Sequence, residues 1–165
     1  MKKRFSVISW FSAGVAGSVS FWLFQVISGE ATITQFMGDQ IATEGGYPLR
    51  FAPLIGWGVH LTVSLSYALL FTVILWIIST KSAGATLGIG LVLALALGWI
   101  TTLLTAPAIT TIISLLSGKG FPAELPPLNA EVGLPLYNHL LFFAVVWVFT
   151  TLFPTLTRRA WQPSL

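Results

Sequence analysis

The chain contains no cysteine. That single absence excludes disulfides, a thiolate nucleophile, an iron–sulfur cluster, cysteine-ligated zinc and a lipidated cysteine. Charge is almost as scarce. Only 8% of the 165 residues are Asp, Glu, Lys or Arg, where a soluble domain carries about 25%. Eight basic and five acidic side chains cannot wet the surface of a domain this long, so a water-soluble enzyme is excluded as well. Apolar residues stand in their place: 55% of the chain is hydrophobic, with a mean hydropathy of +0.87.

The scarce charges divide the chain. Residues 5–29, 51–80, 82–118 and 132–157 contain none. A spanning helix needs about 20 apolar residues, because the hydrocarbon core is about 30 Å thick and a helix rises 1.5 Å per residue. The pattern predicts an all-α, four-transmembrane-helix bundle forming one integral-membrane domain over 1–165, with spans at about 6–27, 54–79, 84–106 and 134–155. The third window is longer than one span. Proline lacks the amide proton and crowds the preceding turn, so Ala106-Pro107 is the expected end of that helix. Segments 107–117 and 31–43 are too short to cross and are expected as interfacial helices. Gly45-Gly46-Tyr47-Pro48 and the run from Phe121-Pro122 to Pro126-Pro127 read as turns or extended linkers.

With four spans, Lys2, Lys3, Arg4, Lys81, Arg158 and Arg159 share one side. Arg50, Lys119 and all five acids share the other: Glu30, Asp39, Glu44, Glu124 and Glu131. Lys and Arg are retained in the cytoplasm during insertion, so both termini are expected there. The start MKKRF followed by an apolar run reads as an uncleaved anchor, because the run continues to Ile27. A pI of about 9.6 follows from these topological cations. No aromatic-interleaved basic patch accompanies them, and nucleic-acid binding is not expected.

A shift of 79 residues lays the first helix pair on the second and His60 on His139, an architectural repeat of two helix pairs. Small residues mark expected close packing: Ala13-Gly14-Val15-Ala16-Gly17-Ser18 in the first span, and Gly84-x-x-x-Gly88-x-Gly90 in the third. Trp22, Trp57 and Tyr137 fall at one expected interface, with Trp10 and Trp161 at the other.

Apart from the phenols of Tyr67 and Tyr137, the two histidines are the only titratable groups inside the spans, both near helix starts on the non-cytoplasmic side. Facing each other across a bundle diagonal of roughly 11–14 Å, they would suit the axial positions of a b-type haem. In that reading Gly56 and Gly58 leave room for the macrocycle and Arg50 and Lys119 pair with its propionates. The only metal is then the haem iron. His60, Ser64 and Tyr67 share a face at i, i+4, i+7 and would equally suit a quinone. Against both stands a plainer reading, in which each histidine reaches interfacial water or bonds a neighbouring helix. No carboxylate or cation lies inside a span, and no phosphate loop, His-Glu-x-x-His or nucleophile–base pair is present.

The Ala13-Gly14-x-x-Gly17 opening, His60 and His139 at the heads of their helices, and the Gly-rich third span resemble the small four-helix bacterial inner-membrane proteins of the YagU-like kind. The resemblance implies a multi-pass inner-membrane protein and carries no catalytic residue. The leading expectation is a non-enzymatic accessory or assembly subunit, in contact with lipid and with other membrane subunits or further copies of itself. A haem b or quinone electron-transfer protein is the first alternative. A small carrier or channel for a neutral solute, using Ser64, Tyr67, Thr101 and Thr105, is the second.

Overall fold

The computed structural model describes residues 7–79 and 82–152. The described elements are α1 (Val7–Ile27), α2 (Ile33–Gly45), a 3₁₀ turn (Leu49–Phe51), α3 (Ala52–Ile78), α4 (Ala83–Leu116) and α5 (Leu134–Trp147), which runs on as a π-helical turn (Val148–Leu152). Among the described residues four stretches are long and apolar enough to cross a membrane: Ile8–Ile27, Leu49–Ile78, Ala83–Leu116 and Leu134–Thr151. In number and order they agree with the four expected spans. Lys2, Lys3, Arg4, Lys81, Arg158, Arg159 and residues 153–155 of the last expected span lie outside the described residues.

Small residues set the packing of the spans. α1 lies between α3 and α5. A β-carbon on Gly14 would stand 2.9 Å from Leu65 Cδ2, and one on Gly17 would stand 2.7 Å from the Phe142 ring. α5 in turn lies against α4, where a β-carbon on Gly98 would stand 2.8 Å from Leu140 and one on Gly90 2.8 Å from Trp147. Lipid is as apolar as the side chains, so helices gain from such close contact and not from hydrophobic exclusion. The seam includes one polar tie, Trp147 Nε1 donating to Leu87 O at 3.2 Å. Phe71, Phe142, Phe143 and Val146 fill the centre. α3 and α4 approach each other much less than α3 approaches α1 or α4 approaches α5.

At one end α2 fits beside this weaker corner. Its first amide donates to Gln25 Oε1 of α1 at 2.9 Å, and Thr32 Oγ1 caps the amide of Gln35 at 3.3 Å. Gly46, left-handed at φ 67°, ends it. α2 runs antiparallel to the start of α3, with Thr34, Met37, Gly38, Ile41 and Ala42 buried. A β-carbon on Gly38 would run into the carbonyl of Ala52, and one on Gly56 into the carbonyl of Thr34. Met37 and Ile41 then meet Ile113 of α4 in a second apolar cluster. Segment 31–43, expected as an interfacial helix, falls mostly within α2, one face of which packs on protein. Tyr47 OH donates to Leu116 O at 3.1 Å, and Lys119 Nζ meets Glu44 Oε2 at 2.9 Å.

The third span departs from expectation. Pro107 does not end it: α4 continues unbroken for 34 residues, about 51 Å at 1.5 Å per residue. Segment 107–117 is therefore not a separate interfacial helix; its residues through Leu116 are the last turns of α4. A proline inside a helix strips the carbonyl four residues earlier of its partner. Here that carbonyl belongs to Leu103, and the backbone amide of Asn129 donates to it at 3.0 Å. The linker from Gly118 to Gly133 returns along α4 and supplies what the proline withholds.

Candidate functional site

The buried face of α3 is Ala52, Gly56, His60, Ser64, Ala68, Phe71 and Leu75, an almost unbroken i, i+4 stripe. Such residues lie one above another on a helix, so His60 is carried inward by the register that seats Gly56 on α2. His60 Nε2 donates to Ser18 O of α1 at 3.1 Å. From the opposite side, α5 brings His139 to the same helix. His139 Nδ1 donates to Pro135 O at 2.7 Å, and its Nε2 lies 3.5 Å from Thr105 Oγ1 of α4. A neutral imidazole carries one proton, so the bond to Pro135 makes Nε2 the acceptor. Thr105 Oγ1 also lies 2.9 Å from Thr101 O, and its single hydroxyl proton serves one of these two acceptors at a time.

Phe21 contacts both histidines. Its ring centroid lies 5.4 Å from that of His60 and 5.4 Å from that of His139, the second contact edge-on at 89°. Trp57 closes the outside of His60 at 5.9 Å and stacks obliquely on Trp22 at 5.6 Å. The two histidines do reach one level of the bundle from α3 and α5, but they meet an aromatic ring there and not open space.

The residues present do not fit a macrocycle held between the two imidazoles. Phe21 packs against both rings, the Nε2 of His60 is engaged with a backbone carbonyl, and both ring nitrogens of His139 lie within hydrogen-bond reach of protein atoms. The room expected beside Gly56 is filled by the Thr34 carbonyl, while a β-carbon on Gly58 would meet nothing within 4 Å, on the outside of the bundle. Of the two cations assigned to propionates, Lys119 pairs with Glu44 and Arg50 lies 5.0 Å over the Phe51 ring. Among the described residues no three metal-ligating side chains converge.

The other candidate residues are tied to the bundle as well. Ser64 and Thr101 are buried, and Thr101 Oγ1 donates to Leu97 O of its own helix at 2.7 Å. Tyr67 packs against Phe142 and Phe143 at 6.5 and 6.0 Å. A groove of about 370 Å³ opens along Leu104, Pro107, Ala108, Thr111 and Ile112 of α4, and neither histidine lines it.

Sequence reasoning missed Phe21 and Asn138. Phe21 lies four residues after Gly17 and so continues the seam of α1 already marked by small residues; that spacing was the available signal. Asn138 is 2% exposed, and neither its Oδ1 nor the Oγ of buried Ser18 meets a hydrogen-bond partner among the described residues. It was overshadowed by His139 beside it.

Comparison with family models, with curated proteins and with solved structures gives no match to the chain.

Proposed function

We propose that the chain is a non-enzymatic accessory or assembly subunit, docking on another membrane protein through the free face of α4. One observation carries the reading. Gly14, Gly17, Gly56, Gly90 and Gly98 are each pressed by another helix of the chain, but β-carbons on Gly84 and Gly88 would meet nothing within 4 Å among the described residues. These two lie four apart on one helix face, the spacing by which helices approach closely in lipid. Exposed Val92 and Leu95 continue that face. The histidines support the reading from within, since both tie one helix to another.

The proposed setting is the bacterial inner membrane, with both termini cytoplasmic and the chain built as two related helix pairs. The basic residues on one side, the shared level of His60 and His139, and the YagU-like resemblance support it.

The test is migration on a native gel after extraction from native membranes in mild detergent. The wild type is expected in a species clearly larger than its own 17.8 kDa chain. The double substitution Gly84→Ile, Gly88→Ile should release it, whereas Gly58→Ile should not. A wild-type chain that migrates alone, or a complex indifferent to the α4 substitutions, would overturn the proposal.

A further inference from the structure

The described residues include two cations, Arg50 and Lys119, and their circumstances differ. Lys119 is neutralised by Glu44 at 2.9 Å. Arg50 has no acidic side chain within ion-pair reach among the described residues; its guanidinium lies 5.0 Å over the ring of Phe51. A cation placed this way keeps its hydrogen-bond donors directed outward, because stacking uses only the face of the group.

The surroundings of Arg50 are apolar and open. Leu49 is 64% exposed, Leu54 73% and Phe51 43%. The segment is held in one shape: Pro48 precedes the 3₁₀ turn, Phe51 N donates to Pro48 O at 2.9 Å, and a proline sits in the first turn of α3. Its depth follows from the packing of α1 on α3. Gly14 faces Leu65, Ser18 O receives His60, and Trp22 stacks on Trp57. The same antiparallel register brings Ile27, the last residue of α1, level with the first turn of α3. Arg50 therefore stands just beyond the level at which α1 leaves the apolar layer, with the aromatic pair Trp22–Trp57 below it at the depth of an interfacial belt. The positive end of α3 points the same way.

We propose that Arg50, with Leu49, Phe51 and Leu54, binds the phosphodiester of a membrane phospholipid, whose acyl chains lie against the exposed leucines. A guanidinium fork matches two phosphate oxygens at once, and the apolar flank selects a lipid over a free anion. Lys119 cannot share this role while Glu44 neutralises it.

The full chain in nonionic detergent, titrated with single lipids and followed by native mass spectrometry, tests this. Dioleoyl phosphatidylglycerol should bind the wild type. Dioleoylglycerol, with the same acyl chains and no phosphate, should bind far more weakly, and inorganic phosphate should not bind. Arg50→Gln should weaken phospholipid binding roughly tenfold, Arg50→Lys should weaken it less, and Lys119→Gln should leave it unchanged. Equal binding of the two lipids by the wild type would overturn the proposal without any variant. So would wild-type affinity in Arg50→Gln, equal losses for Arg50 and Lys119, or an Arg50-dependent adduct with inorganic phosphate alone.

Discussion

The backbone amide of Asn129 donates to the carbonyl of Leu103 at 3.0 Å, and Leu103 is the residue whose helical partner Pro107 abolishes. An unpaired carbonyl in an apolar layer costs several kcal/mol, so a proline survives mid-helix only where something else bonds the freed group. Here the donor comes from further along the chain, in a linker with no regular structure of its own.

Removing that amide should therefore be costly only while the proline is present. Asn129→Pro should lower stability in detergent by about 1–3 kcal/mol, and Asn129→Ala, which keeps the amide, by much less. In a Pro107→Ala background, where the introduced alanine restores the helical bond, most of the Asn129→Pro effect should vanish. Thermal melts of the single and double variants would show it, and an unchanged penalty in that background would contradict it.

The seam of α2 on α3 makes a second contrast. Gly56→Ala forces a methyl into the Thr34 carbonyl and should cost about 1–3 kcal/mol. Gly58→Ala, two residues away in open space, should gain up to about 1 kcal/mol from helix propensity. Opposite shifts in melting temperature are expected. Equal shifts would mean that α2 does not seat on Gly56.

For the histidines, a purified preparation should be colourless, with no Soret change on reduction, because the Nε2 of each ring already lies against a protein partner, Ser18 O or Thr105 Oγ1. His60→Ala and His139→Ala should each cost about 1–2 kcal/mol through lost inter-helix bonds. A Soret band that disappears with either substitution would instead place a haem there and require Phe21 to move.

Orientation is testable separately. A reporter active only in the cytoplasm should work when fused at the N-terminus, after Lys81 or at the C-terminus, and should be silent near Glu44 and Glu124. A cytoplasmic signal from Glu44 would reverse the topology and the leaflet in which Arg50 lies.

How much of this was legible in the sequence differs by feature, for physical reasons. Four spans could be read because lipid selects composition over a whole window, and α1, α3, α4 and α5 each satisfy it. Gly14 and Gly17 were readable as a seam because small residues in a membrane helix have few other uses. Pro107 misled because its effect depends on a non-local bond from Asn129, and no local rule contains that. Both histidines reach Phe21, and that contact turns on the rotation of α1 about its axis. A helix that is apolar all round gives no moment from which to read that rotation. Gly56 was read as room for a ligand, when the room belonged to α2.

The position of α5 between α1 and α4 has a consequence for how the chain is made. Helices leave the ribosome in order, so α4 enters the membrane while the neighbour that fits Gly90 and Gly98 is still unsynthesised. During that interval its main neighbours within the chain are the limited contacts with α2 and α3. α5, translated after both, locks α1 and α4 together. A polypeptide stopped before Leu134 would keep α1 joined to α3 and leave most of α4 uncovered, which makes such a fragment a natural substrate for membrane proteolysis.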